Sequence, residues 1–501
     1  MSFSPINSLS STGLKVRQLL IVRLNGGQLF DASYCQKMLD YAKSGIGGFI
    51  LFGGELEAAR LFVKQLQAAA PLPLFIASDI ERGVSQQLNS ASPMPCQMAV
   101  AAAIKGSGQT ALDLLHQNLD SLCTEAAYAG INMPLIPVAD VNNIPDNPII
   151  CTRAFSDDPL LCADLCVEYV NRIELNGLIS CPKHFPGHGS SSVDSHLSLP
   201  VIDKSIEDMN KMELIPFKAA VDAGTRSIMA GHLLVPDFDD QPATLSPLVA
   251  RYLRESLGFR GLIITDALNM SALKSFDKIH VKCLNAGMDI LLHPDDPDAA
   301  IMELEAGLQS GEVYPDRLDK SCNRIFEIKS KLNMKEVCSP DILCNKNAAE
   351  SLARLSFSLV RGEWPEDVSD RIVVTAGDED GISKKIFSRN FKRVISIDDA
   401  ASLSGSVIIA ISTKVAAWRG KSGIDRKTKN KIRTVIKNAK KTAVISFGSP
   451  YVLSDFGEAD LLAAAYGYEE WIQELFVKHI SEGADFFGKL PLNISISGEQ
   501  G

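Results

Sequence analysis

The first 340 residues alternate short apolar runs with segments of helical periodicity, and this alternation limits the fold more than any other feature. Each run is bounded by polar or glycine-rich residues, as a buried strand is. Successive parallel strands need a crossover connection, usually a helix. The pattern therefore predicts an α/β fold with roughly eight parallel strands. The candidate strands are residues 18–24, 48–52, 74–79, 133–140, 178–184, 227–232, 261–266 and 288–293.

Most of these runs end in a polar side chain. Eight parallel strands can close into a (β/α)₈ barrel, or TIM barrel, in which the carboxyl ends of all strands form one face. A doubly wound open sheet would show the same alternation. Because so many runs end in a polar group, we predict the closed barrel, with these groups converging at its mouth. They are Asp79, Asp140, Lys183 with His184, His232, Asp266 and His293.

A break in the pattern within residues 335–347 indicates a domain boundary. A chain of 501 residues also exceeds one ordinary hydrophobic core. Beyond the break, shorter apolar runs again alternate with helical segments. We predict that residues 1–340 form the barrel and that residues 346–501 form a smaller three-layer α/β/α sandwich.

Composition excludes several classes of protein. The formal net charge of -10 argues against a general nucleic-acid partner. The eleven cysteines are scattered and form no C-x-x-C pair, which is typical of free thiols in a reducing compartment. Residues 1–13 lack the basic and apolar regions of a leader, and no apolar run is long enough to span a bilayer. We expect a soluble, cytoplasmic protein without a membrane partner.

One loop concentrates titratable side chains. It runs from Lys183 to His196 and reads K-H-F-P-G-H-G-S-S-S-V-D-S-H. A Gly/Ser-rich loop at a strand end can deliver reactive groups from a rigid scaffold. In an extended segment, Asp194 and His196 would project to the same side, and a hydrogen bond between them would prepare the imidazole for proton transfer. From spacing alone, a metal site or a solvent-facing loop with incidental histidines stays open.

The run K-H-F-P-G-H-G followed by D-S-H resembles the signature of the β-N-acetylglucosaminidase branch of glycoside hydrolase family 3. Residues 257–270, L-G-F-R-G-L-I-I-T-D-A-L-N-M, are similar to the strand that carries the nucleophile of that family, with Asp266 in its position. The resemblance implies a retaining mechanism without metal or cofactor. Asp266 would form a covalent glycosyl-enzyme, while His196, held by Asp194, would act as acid and then as base.

Two other segments resemble sugar-binding elements of the family. The run P-L-F-I-A-S-D ends at Asp79, and a D-V-N, N-P and R-A-F series contains Arg153. The resemblance implies that Asp79, Arg153, Lys183 and His184 hold the sugar. Residues 79–83 read D-I-E-R-G, where the family usually has D-Q-E-G-G, so contacts to the leaving group are expected to differ.

We therefore expect an exo-β-N-acetylglucosaminidase whose substrate is a small sugar, implied to be an N-acetylglucosaminyl muropeptide or oligosaccharide from peptidoglycan recycling. A phosphorylase is an alternative, because a neutral histidine repels phosphate less than a carboxylate does. A catalytically silent sugar-binding relative and a metal-dependent hydrolase are the others. The intact set of Asp194, His196 and Asp266 argues against the silent relative. The absence of H-x-H on the first strand argues against the metal-dependent hydrolase.

Overall fold

The computed structural model describes residues 11–191, 195, 198–332, 342–364, 371–379, 381–415, 420 and 422–496. Asp194 and His196 lie outside these residues. The chain divides into two compact units, and each is described by itself. The first unit comprises Met1–Met94, Asn118–Val141 and Cys162–Lys346, and the second comprises Pro95–Gln117, Asn142–Leu161 and Asn347–Gly501.

The strands and helices follow in chain order. The strands are β1 Leu20–Asn25, β2 Gly48–Phe52, β3 Phe75–Ser78, β4 Met133–Pro134, β5 Ser227–Ala230, β6 Leu262–Thr265, β7 Leu291–Leu292, β8 Ser358–Arg361, β9 Ile372–Gly377, β10 Arg393–Ser396, β11 Ser406–Thr413, β12 Lys441–Gly448 and β13 Leu461–Ala464. The helices are α1 Thr12–Gln18, α2 Ala32–Lys43, α3 Leu56–Ala69, α4 Gln97–Ser107, α5 Gln109–Ala129, α6 Pro159–Leu175, α7 Ile206–Met209, α8 Leu214–Asp222, α9 Pro247–Arg251, α10 Ile279–Ala286, α11 Pro297–Ser310, α12 Pro315–Ser330, α13 Ile342–Ser356, α14 Lys384–Ser388, α15 Arg426–Asn438 and α16 Glu470–Ser481.

The first unit contains a closed ring of parallel chain segments. One sheet has the order β4-β3-β2-β1-β7, and β5 pairs with β6. Residues 178–185 lie between β4 and β5 and complete the ring. The bonds that close it are Cys181 N to Ile136 O (2.8 Å), Phe185 N to Met229 O (2.8 Å), Thr265 N to Ile290 O (3.0 Å) and Leu291 N to Leu19 O (2.8 Å). The unit is therefore TIM-barrel-like, and an open sheet does not fit it.

Each of the eight predicted strands contributes to this ring, although the fifth is irregular. Residues 178–184 make isolated bridges instead of a continuous ladder. Pro182 and Pro186 lie in or next to this stretch and have no N–H to contribute.

Local capping explains where several helices begin. Asp31 precedes α2, and its Oδ1 accepts from Ser33 N at 2.8 Å. Asp296 caps α11 in the same way, and Pro297 occupies the first turn, where its missing N–H has no cost. Gly311 ends α11 with a φ of +80°, a conformation that favours glycine.

The second unit is built on a six-stranded sheet of order β10-β9-β11-β12-β13-β8, with β8 antiparallel to β13. Side chains along β11 alternate between two apolar clusters. Ile409 packs in one cluster with Ile432 of α15. Ile408 packs in the other with Phe476 of α16. Both faces of the sheet are therefore covered, as a three-layer α/β/α sandwich requires.

Two segments from the barrel half of the sequence pack into this second unit. Met98 and Ala102 of α4, together with Cys151, are buried in the cluster that contains Ile409. The predicted division at residues 340–346 left these segments with the barrel. Among the helices that the structure describes, none combines the length and apolarity needed to cross a bilayer.

A buried lysine ties the end of α12 to the start of the barrel. Lys329 Nζ donates to Gln18 Oε1 and Gly47 O, each at 2.8 Å. Burial lowers the Lys329 pKa to about 7. Because its unfolded pKa is higher, the unfolded chain holds one more proton between pH 7 and 10, and the free energy of unfolding should rise with pH in that window.

We predict that Lys329→Met removes this rise of the free energy of unfolding with pH. The stability lost relative to the unsubstituted protein should grow by up to about 1.4 kcal/mol per pH unit between pH 7.5 and 9.5. Urea unfolding across that range measures it, with the exposed Lys331→Met as the control. A loss that is constant with pH would contradict the lowered pKa.

Candidate active site

The carboxyl ends of the ring bring the polar strand-end groups to one face of the first unit. Asp79 follows β3, Asp266 follows β6, and Lys183 and His184 lie in the irregular fifth member. Asp140 lies beyond β4, in the stretch that pairs with Lys183. Because all members run in the same direction, their ends share this face.

Lys183 is held between two carboxylates. Its Nζ lies 2.7 Å from Asp79 Oδ1 and 2.7 Å from Glu81 Oε1. The Lys183 side chain is 2% exposed and that of Glu81 is 8% exposed, whereas Asp79 is 29% exposed. One cation lies between two anions, so the three side chains together carry a formal charge of −1. Asp79 is the member most accessible to a ligand.

Glu81 was missed in the sequence, where residues 79–83 were read only as a departure from the family pattern. The available signal was a second acidic residue two positions after Asp79. A buried ammonium needs more than one partner to offset its desolvation, and Glu81 supplies the second.

His184 is oriented by a fully buried carboxylate. Its Nδ1 lies 2.7 Å from Asp140 Oδ2, and its backbone N donates to Asp140 at 3.2 Å. Asp140 also accepts from His188 N at 2.5 Å. A carboxylate accepts from Nδ1–H, so Nε2 is left on the far side of the ring, where it can accept from a ligand.

His188 belongs to the base of the loop. Its Nε2 lies 3.1 Å from Ser195 Oγ. Burial, reinforced by the neighbouring His184, lowers its pKa to about 4, and Asp140 and Asp266 offset this only in part. His188 is therefore neutral at neutral pH and links the two sides of the loop.

A second cluster joins Ser190, inside the loop, to Lys204 and Glu213, which follow the loop in the chain. Glu213 is fully buried, and Lys204 Nζ lies 2.5 Å from its Oε1. Ser190 Oγ donates to that same oxygen and accepts from Lys204 Nζ at 3.1 Å. Residues before and after the Asp194–His196 stretch of the sequence thus meet at the Lys204–Glu213 ion pair. The predicted Asp194–His196 pair lies between these anchors but outside the described residues, so it stays a prediction.

Asp266 lies in a turn fixed by backbone hydrogen bonds. Its N donates to Ala230 O at 2.8 Å, and its Oδ1 accepts from Ala267 N at 2.7 Å. The residue is partly exposed. Its charge also acts on the buried His188, so the two groups lie within electrostatic reach. The role of Asp266 as nucleophile stays a prediction.

Arg23 adds a cation beside this face. Its guanidinium lies 5.4 Å from the centroid of the Phe52 ring, and that ring lies 5.8 Å from His293. Burial lowers the His293 pKa to about 4, with a further lowering by Arg23 and an opposing effect of Asp79. Arg23 is exposed, and sequence reasoning did not select it.

Arg153 lies in the second unit. Its Nη1 donates to Ile149 O at 3.0 Å. The surrounding loop is fixed by Asn142, whose Nδ2 donates to Tyr451 Oη at 2.9 Å and whose Oδ1 accepts from Cys151 N at 2.9 Å. The sugar-binding role of Arg153 stays a prediction.

Within the described ranges, no group of three or more His, Cys, Asp or Glu side chains is arranged to hold a metal ion. Asp194 and His196 lie outside those ranges.

We predict that Lys183→Met destabilises the protein most at neutral pH. Removal of the ammonium leaves Asp79 and Glu81 facing each other, which costs about 3–5 kcal/mol when both are ionised. At pH 4.5 two facing carboxylates can relieve their repulsion by taking up one proton, so the loss should shrink. Urea unfolding at pH 7 and 4.5 measures both values.

The exposed Lys211→Met is the matched control and should change little at either pH, because its partner Glu207 is also exposed. The double substitution Lys183→Met with Glu81→Gln should recover part of the loss. Equal losses at both pH values would show that packing, rather than charge balance, is the contribution of Lys183.

Comparisons with known proteins agree with this architecture. The family description "Glycosyl hydrolase family 3 N terminal domain" matches residues 11–328. A β-N-acetylglucosaminidase/β-glucosidase of Cellulomonas fimi is 32% identical over 304 residues, which cover 58% of this chain and 53% of that protein. The chain thus spans about half the length of the first curated relatives that it matches.

Two solved structures share the fold over nearly the whole chain. A family 3 β-N-acetylglucosaminidase of a Paenibacillus species has a TM-score of 0.82 at 24% identity, covering 97% of this chain and 99% of that one. A β-glucoside phosphorylase has a TM-score of 0.84 at 23% identity, covering 96% and 94% of the two chains. The match over residues 11–328, more than half of the chain, shows that the protein belongs to glycosyl hydrolase family 3.

Proposed function

We propose that the protein is a retaining exo-β-N-acetylglucosaminidase. The observation that carries this proposal is the Lys183 cluster, in which a buried ammonium holds the partly exposed Asp79 on the ring face shared with Asp266. Paired hydrogen-bonding groups beside a reactive carboxylate are what recognition and cleavage of a sugar require. Similarity to relatives such as the β-N-acetylglucosaminidase/β-glucosidase of Cellulomonas fimi supports the same activity.

The sugar would be held by donors and acceptors of fixed direction. Asp79 would accept from two adjacent hydroxyls, because a carboxylate can accept two hydrogen bonds at once. Lys183 would donate to one of the same oxygens, and His184 Nε2 would contact a neighbouring hydroxyl. Arg153 would add a further donor. The buried partners Glu81 and Asp140 keep Lys183 and His184 in place before the sugar arrives.

Cleavage would proceed by two displacements. Asp266 attacks the anomeric carbon, the bond from that carbon to the leaving oxygen breaks, and His196 gives its proton to that oxygen. In the second step, His196 takes a proton from water as the water oxygen replaces Asp266. Asp194 would stabilise the protonated imidazole that begins the first step and forms again in the second.

The leaving group would carry a negative charge. Arg23 is exposed and lies beside Phe52 and His293, and Asp79 is close enough to influence the His293 pKa. A cation next to an aromatic ring suits a sugar that bears a carboxylate. Fragments of peptidoglycan have this chemistry, so we propose an N-acetylglucosaminyl muropeptide as the substrate, recycled in the cytoplasm.

Substrate choice and acceptor can be tested together. An aryl β-N-acetylglucosaminide should be cleaved with a higher kcat/KM than the matching aryl β-glucoside, and neither chelator nor inorganic phosphate should change the rate. The free sugar should be the product in both buffers. A sugar phosphate would make the protein a phosphorylase, loss of activity with chelator a metalloenzyme, and no turnover a silent binder.

The dual role of His196 predicts a particular rescue. His196→Ala should slow glycosides with poor leaving groups much more than activated aryl glycosides, which depart without a proton. Azide needs no base, so it should speed turnover of the activated substrate and give a β-glycosyl azide. Asp194→Asn should show a milder form of this defect. Equal slowing of all substrates without azide rescue would move the acid/base role elsewhere, to His184 first.

A further inference from the structure

A buried histidine contacts the turn that follows Asp266. His232 lies two residues beyond the end of β5 and is fully buried. Its Nε2 lies 3.0 Å from Ala267 O, and its Nδ1 lies 2.9 Å from Thr244 Oγ1. A carbonyl oxygen can only accept, so Nε2 carries the proton in this contact. In the neutral ring the Thr244 hydroxyl then donates to Nδ1.

The peptide groups on both sides of Ala267 form part of this arrangement. Ala267 N donates to Asp266 Oδ1 at 2.7 Å. Leu268 N, on the opposite side of the residue, donates to Leu292 O at 3.0 Å. The Ala267 carbonyl belongs to the same peptide group as Leu268 N, so His232 and the β7 backbone hold that group from its two ends. The donor that orients the Asp266 carboxylate is therefore attached to a fixed peptide.

We propose that His232 is a positioning residue for Asp266 and that the Thr244 hydroxyl, by donating to Nδ1, holds the ring in the orientation required for this task. The inference rests on the proposed role of Asp266 as nucleophile. Attack at an anomeric carbon needs a carboxylate oxygen placed within a fraction of an ångström, and a displacement of about 1 Å can lower the rate about a hundredfold. His232 supplies that placement without touching the substrate.

The burial of both partners makes the contact difficult to replace. His232 and Thr244 are each fully buried, so water does not readily substitute for either hydrogen bond. If Thr244 could not donate, Nδ1 would become a buried acceptor without that donor, and one of the two contacts that hold the ring would be lost. The ring could then shift, and the Ala267 peptide would be held less firmly.

Four variants test the two contacts that join Thr244 to His232 and His232 to Ala267. Thr244→Val removes the hydroxyl at nearly constant shape, and Thr244→Ser keeps it. His232→Leu removes the donor to Ala267, and His232→Gln retains an N–H near the position of Nε2. Thr225→Val is the matched control, because Thr225 is another buried hydroxyl in the barrel, with contacts to Ser180 at the opposite end of β5.

The measurement is kcat/KM for a series of aryl β-N-acetylglucosaminides that differ in leaving-group acidity, together with the inhibition constant of N-acetylglucosamine. We expect Thr244→Val to lower kcat/KM about tenfold and His232→Leu about a hundredfold, by the same factor for every leaving group. Thr244→Ser and His232→Gln should recover most of the activity. Sugar inhibition should stay unchanged in all four, and Thr225→Val should lower the melting temperature without lowering kcat/KM.

Two outcomes would overturn the inference while leaving the proposed function standing. One is that Thr244→Val behaves like Thr225→Val. The other is a loss in the His232 variants that grows as the leaving group becomes poorer, because His232 would then transfer a proton. Asp266→Ala provides the separate check. If that variant keeps full activity, Asp266 is not the nucleophile, and His232 cannot act by positioning it.

Discussion

A lysine ammonium buried between two carboxylates is the interaction on which the barrel mouth depends. Lys183 cannot leave the interior without exposing Asp79 and Glu81 to each other, and neither carboxylate can be removed without leaving a poorly compensated charge. The cluster therefore fixes two chain segments relative to one another. Asp79 is its most exposed member, as the proposed contact with a sugar requires.

The same principle recurs around the loop that follows. Asp140 holds His184 and His188, and Glu213 holds Ser190 and Lys204. In both clusters a fully buried carboxylate gathers donors from separate segments, so its desolvation is offset by several hydrogen bonds. His188 and Ser190, which these two carboxylates hold, precede the candidates Asp194 and His196 in the chain.

Much of the barrel could be predicted because its signal is local. Short apolar runs such as residues 48–52 and 261–266 mark strands by composition, and their spacing leaves room for one helix each. The irregular fifth member could be located but not described, since the prolines at 182 and 186 affect hydrogen bonding rather than hydrophobicity. The packing of Cys151 into the second unit could not be predicted. It depends on contacts such as that of Asn142 with Tyr451, which are 309 positions apart.

The candidate site likewise contains residues that the sequence was sufficient to select and residues that it was not. Asp79, Lys183, His184 and Asp266 stand in recognisable motifs, so their type and spacing were sufficient to select them. Asp140 was expected at the barrel mouth but without a role, and Glu81 and Glu213 were missed, because the importance of all three lies in which buried groups they contact. A single sequence does not show such contacts.

The central claim is that Asp266 attacks the anomeric carbon at this barrel mouth. The most direct test is to incubate the protein with an activated 2-deoxy-2-fluoro glycoside, digest it, and locate the added sugar mass by tandem mass spectrometry. The account predicts one label per chain on the peptide that contains Asp266, with protection by N-acetylglucosamine. A label on any other residue would contradict it.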